Sequence, residues 1–149
     1  MNAPEAPWVA LEDFPLDGAM KEPVRALLAD GFRVYVYARP RLRGGGFVQV
    51  SWVIIEREGN VGVVDYDRID GYRVTFSIEP SAATGSGLRV GVPRPGREDR
   101  EPKDVEEILV CARLATGLTY KNFATSKPLP NHGWAHFSWG AKHLVELVA

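Results

Sequence analysis

The stretch PNHGWAHFSWGAKH, residues 130–143, holds all three histidines of the chain, His132, His136 and His143. Imidazole is a frequent metal ligand and a general acid or base near neutral pH. The cluster is therefore the first candidate for a metal site, or for a hydrolytic site with these histidines as catalytic groups. His132 and His136 have the spacing of two ligands on one helical face, but Pro130 and Gly133 oppose a helix there. No Glu follows His132, so the His-Glu-x-x-His pattern of metalloproteases is absent. Apolar periodicity predicts a last helix over Phe137–Val148, with Phe137, Ala141, Leu144, Val145 and Val148 on its inner side. His136 and His143 then fall on the outer side with Trp139 and Glu146. The reading is a solvent-facing aromatic and His-bearing surface, which His132 joins if its loop folds back.

Cys111 is the single cysteine. A catalytic thiol needs a nearby base or a helix N-terminus to hold it as thiolate. Cys111 falls mid-helix, at the flank of an apolar stripe, where a half-buried packing residue is expected. It becomes a catalytic candidate if a histidine of the 130–143 stretch reaches it in space.

The second group of candidates is basic and aromatic. Arg39, Arg41 and Arg43 alternate, so in an extended segment three guanidinium groups share one edge and suit phosphates or carboxylates. Just before them, Arg33, Tyr35 and Tyr37 alternate with Val34 and Val36. With the valines, Val50, Trp52 and Ile54 directed at the core, the opposite sheet face carries Arg33, Tyr35, Tyr37, Phe47, Val53, Ile55, Arg73 and Arg89. Arg and aromatic residues are favoured at recognition surfaces. On a sheet they also stack nucleobases. The hairpin VDYDRIDGYR concentrates Asp65, Asp67 and Asp70, but turn chemistry accounts for them without a ligand. RLRGGGF and GSGLRVG lack the Lys-Ser/Thr ending of a P-loop and run into strands, so neither cradles a nucleotide.

These residues sit on elements legible from pattern. Met20, Val24, Leu27 and Leu28 mark a helix capped by Asp17 and stopped by Gly31. FRVYVYAR, FVQVSWVIIE, NVGVVDY, YRVTFSIE and LRVGV read as five strands joined by short turns and one Pro/Gly-rich connection. DVEEILVCARLAT reads as a helix with Asp104 and Glu107 as a capping box. The order is one helix, five strands, then two helices. The expected fold is α+β: a five-stranded antiparallel meander with one N-terminal and two C-terminal helices on one face. Residues 1–18 read as an extended arm, with Trp8, Leu11 and Phe14 touching the body, and residues 19–149 as a single α+β domain.

Composition narrows the function. The formal net charge is −1 and charged residues make up 25%. That opposes a protein coating nucleic acid or anionic membrane along its whole surface. The lone cysteine suits a reducing, cytoplasmic setting. No run approaches the ~20 apolar residues of a membrane helix, and no secretory pattern opens the chain. No motif implies a cofactor. The expectation is a small non-enzymatic accessory or regulatory protein. It would recognise a protein partner through an exposed face with Arg33, Tyr35, Tyr37, Arg39, Arg41 and Arg43 as binding residues. The alternatives are the His-cluster metal or hydrolytic site, and nucleic-acid binding by the Arg39–Arg43 edge. A homodimer through a sheet edge is compatible with either.

Overall fold

The computed structural model describes residues 3, 5–38, 43–46, 48–80, 87–91, 102–117, 119–121, 128–131, 133–134 and 143–149, of which 77–80, 87–91, 119–121 and 128–130 are described as backbone. The chain is α+β. Strand β1 (Trp8–Ala10) and a 3-10 turn (Leu11–Asp13) lead into helix α1 (Gly18–Ala29). The meander follows as β2 (Arg33–Tyr37), β3 (Trp52–Arg57), β4 (Asn60–Asp67), β5 (Gly71–Pro80) and β6 (Gly87–Gly91). Helix α2 (Val105–Gly117), a small ribbon of β7 (Thr119–Lys121) and β8 (Pro128–Pro130), and β9 (Leu144–Val148) complete the order. The main sheet has seven strands in the order β1-β9-β2-β3-β4-β5-β6. The β1–β9 pair is parallel and the others are antiparallel, so the sheet is mixed.

Local chemistry explains the element ends. The Asp17 carboxylate accepts from Ala19 N at 2.9 Å and caps α1, satisfying one of its free amides. Gly31, at φ +92°, turns the chain out of it. Asp104 accepts from Glu107 N at 2.9 Å and caps α2. Glu58 and Gly59 both take positive φ between paired Arg57 and Asn60, the requirement of a tight two-residue hairpin.

The sheet is not the expected five-stranded antiparallel meander alone, because β1 and β9 extend it and pair in parallel. Two further expectations are corrected. First, Leu144–Val148 is a strand, not the end of a helix; Phe137 and Ala141 lie outside the described residues. LVELV is apolar almost throughout, which suits a strand buried on both faces as well as a helix. The β-branched valines and the vacant position between β1 and β2 decide for the strand. Second, the phase of β3 is opposite to the one expected. Val34 pairs with Ile55 and Tyr35 with Ile54. Val53 and Ile55 therefore join Val34 and Val36 under the helices, while Trp52 and Ile54 join Tyr35 and Tyr37 on the other side. The 38–51 connection between β2 and β3 is long, so no tight turn sets their register.

The main core lies between one sheet face and the two helices, with Met20, Val24 and Leu27 of α1 and Ile108, Cys111, Ala112 and Ala115 of α2. Leu11, Phe14 and Leu16 of the leading segment are buried in the same core. Leu16 bridges Val50, and Asp17 N donates to Val50 O at 2.7 Å. Helix α2 comes close over β4 because Gly62 has no side chain. A Cβ there would stand 2.9 Å from Thr75 O and 3.4 Å from the Ala115 Cβ. The far ends of the helices are tied by Asp30. Its carboxylate accepts from Arg113 at 3.0 and 2.7 Å and from Arg57 at 3.0 Å, and the Arg57 guanidinium lies 3.7 Å from the Phe32 ring centroid.

Gly62→Ala should lower stability by about 1–3 kcal/mol through overpacking. Gly117→Ala, where a Cβ meets nothing within 4 Å, should be neutral or stabilising by about 0.4–1 kcal/mol; urea unfolding separates the two. The Arg113 and Arg57 guanidinium groups hold the Asp30 carboxyl down from 3.8 to about 2. A carboxylate with a depressed folded pKa stabilises the fold above its ordinary range, and that contribution is lost as pH falls through the folded value. The stability gap between the native chain and Asp30→Asn should therefore shrink between about pH 4 and about pH 2, read from urea midpoints across that series.

Candidate functional site

The second sheet face carries its own core. Tyr35, Ile54, Val61, Val63, Leu144 and Trp134 are buried together, with Ala3, Ala6, Tyr37 and Trp52 packed around them. Trp134 meets Tyr35 edge-on, with ring centroids 4.8 Å apart and planes at 84°, a favoured aromatic geometry. Tyr37 leans on Trp52 at 5.3 Å. The side chain of Asn131 seats Trp134. It accepts from Val61 N (3.1 Å) and Gly133 N (2.8 Å), and donates to Val61 O (2.9 Å) and Ala115 O (3.0 Å). One amide group thus stands in for a strand neighbour at Val61 and satisfies a carbonyl in the last turn of α2. Asn60 satisfies another, donating to Thr116 O at 2.5 Å.

This covering changes the expected recognition face. Tyr35 has no exposed surface, so it cannot serve as an exposed anchor. Its hydroxyl is buried with no hydrogen-bond partner among the described residues. Burial first, and then the Glu146 carboxylate, push its pKa up to about 12. Tyr37 is half-buried. Arg33 is exposed and gripped by Glu146 of β9 through Nε at 3.1 Å and Nη2 at 2.7 Å, and it stands 5.4 Å from the Tyr35 ring centroid. That hydrogen bonding raises the guanidinium pKa further.

Beside this pair lies Trp8. It is in register with Glu146, and Glu146 is in register with Tyr35, so all three occupy the same sheet face. Trp8 is 69% exposed. Its exposure was not legible from the residue type alone. The available signal was the alternation in PWVAL: Val9 and Leu11 turn inward, which leaves Trp8 and Ala10 on the other side.

The remaining described candidates, Arg43, His143 and Cys111, do not converge with these. Arg43 is exposed, next to Gly44, Gly45 and Gly46 at positive φ. It follows the end of β2 opposite to Arg33. Arg39, Arg41, Phe47, His132 and His136 lie outside the described residues. His143 is exposed just before β9, whereas Cys111 is fully buried in the helix-covered core. The thiol thus presents no solvent-accessible surface, and its burial is more complete than the expected half. In the β4–β5 hairpin, Asp67 accepts from Ile69 N and Asp70 N at 2.8 and 3.1 Å, and these bonds lower its pKa. Asp70 pairs with Arg73 at 2.8 Å. Among the described residues, no three His, Cys, Asp or Glu side chains are grouped to hold a metal ion, and no helix is long and apolar enough to cross a membrane.

Removing an unpartnered buried hydroxyl relieves its desolvation cost. Tyr35→Phe should therefore be neutral or stabilising by up to about 1 kcal/mol in urea unfolding, and should remove a step near pH 12 from the alkaline absorbance titration. Compared with protein-family models, curated proteins and solved structures, the chain matches none.

Proposed function

We propose that this chain is a small non-enzymatic accessory or regulatory protein of the cytoplasm that recognises a protein partner. The surface it uses is the outer end of the second sheet face, where Trp8 stands beside the Arg33–Glu146 pair. The observation that carries this reading is the exposure of Trp8. An indole held on a strand and 69% open to water forgoes burial that a partner can supply. Trp and Arg are the side chains most enriched at interface hot spots. The Arg33–Glu146 pair is already satisfied within the chain, so it supplies a fixed polar rim and needs no rearrangement on binding.

Tyr35 and Tyr37 support the surface from beneath. Tyr35 fills the space under Arg33 and packs on Trp134. This narrows the contact surface from the whole Arg/Tyr face to its uncovered edge.

Trp8→Ala tests the reading. The residue is exposed, so folding stability should change by less than about 0.5 kcal/mol. Affinity for a stoichiometric partner co-purified with the native chain should fall roughly 10- to 100-fold, measured by isothermal titration. Partner affinity unchanged in Trp8→Ala would remove Trp8 from the recognition surface.

A further inference from the structure

The hydrogen-bond pattern of β1 says how a partner would be held there. Glu146 N donates to Pro7 O at 2.9 Å, and Trp8, Val9 and Ala10 run parallel to Glu146, Leu147 and Val148. In a parallel ladder alternate residues of one strand turn their backbone groups to the neighbour. Pro7, Val9 and Leu11 therefore face β9. Trp8 N–H, Trp8 C=O and Ala10 N–H point away from the sheet, and β1 is its outermost strand among the described residues. Ala10 is extended, at φ −63° and ψ 140°. An open strand edge of this kind is a template for another strand.

Charge states which kind. Residues 1–20 contain Glu5, Glu12, Asp13 and Asp17 and no Lys, Arg or His. Asp17 is used as the helix cap, and Glu12 is answered by Arg25 at 2.7 Å. Glu5 and Asp13, which flank the edge on either side, are exposed and have no ion pair among the described residues. The Trp8 indole between them is a face on which an ammonium or guanidinium group is attracted. Two copies of this chain pairing edge to edge would bring their acids together, which is unfavourable.

Resting on the recognition surface proposed above, we infer that the outer edge of β1 takes up an extended, lysine- or arginine-bearing segment of the partner as an added strand. Its backbone would bond Trp8 and Ala10, its cations would meet Glu5 and Asp13, and one side chain would lie on the Trp8 indole.

Ala10→Pro isolates the backbone contribution. Proline matches the φ of Ala10 and deletes the outward N–H while leaving the β1–β9 ladder intact. The probe is a fluorescein-labelled short peptide alternating lysine with valine, read by anisotropy, with a glutamate-for-lysine peptide as control. The native chain should bind the lysine peptide. Binding should weaken at least about tenfold in Ala10→Pro and in Trp8→Ala, and for the glutamate peptide, with thermal midpoints of the variants unchanged. Hydrogen exchange on the native chain should show Trp8 and Ala10 amides protected by the peptide; this reading holds even if Ala10→Pro fails to fold. Loss of binding in Trp8→Ala with full binding in Ala10→Pro and no amide protection would overturn strand addition and leave the Trp8 surface standing. Equal binding of both peptides would overturn the charge assignment. No binding of the lysine peptide by a native chain that still retains a Trp8-dependent partner would overturn the inference alone. Insensitivity of both peptide and partner to Trp8→Ala would overturn it together with the recognition surface.

Discussion

The insertion of β9 between β1 and β2 is the constraint on which the rest of the structure depends. An interior strand must bond on both edges and bury both faces. β9 meets this with Leu144, Val145 and Leu147, all buried, and with ladders to β1 on one side and β2 on the other. Its one charged residue, Glu146, is held by two hydrogen bonds from Arg33, which offset its partial removal from water. Without β9, β1 would have no neighbour in the sheet. The segment from Leu11 to Leu16, which fills the core under α1, would lose the anchor at its start.

With that strand in place the sheet is covered on both faces by different means. Helices α1 and α2 cover one face, α2 drawn close at Gly62 and the two joined through Asp30 and Arg113. On the other face the described cover is Trp134, fixed by the four hydrogen bonds of Asn131, with Ala3 and Ala6 packed beside it. A saturated amide side chain in a partly buried position is directional, so Trp134 has one seat. The consequence reaches the candidate site: covering Tyr35 removes the centre of the Arg/Tyr face from solvent and leaves Trp8 and Arg33 exposed at its rim.

Local features were legible in the sequence. The five meander strands, both helix caps and the turns at Glu58–Gly59 and Arg68–Asp70 follow from side-chain alternation, from carboxylates placed before helices, and from glycines where φ must be positive. Long-range relations were not. LVELV satisfies a helical stripe and a doubly buried strand equally well; Leu147, which a helix would have turned toward solvent, was the one discordant residue. The phase of β3 against β2 also escaped, since the long connection leaves either register open and both faces of β3 are apolar. Asn131 gave no signal, because an Asn beside prolines reads as a loop residue until the strand it bonds is known.

The sequence by itself determined the α+β class, the meander, the two described helices and the helix sides that face the core, because each depends on residues close together along the chain. Only the tertiary structure decided that the strand Leu144–Val148 lies between β1 and β2, that Tyr35 is buried while Trp8 is exposed, and that Arg33 is paired with Glu146. Those outcomes depend on which strand edges meet across more than a hundred residues, and the energy that selects among such pairings is spread over the whole core instead of written in any one segment.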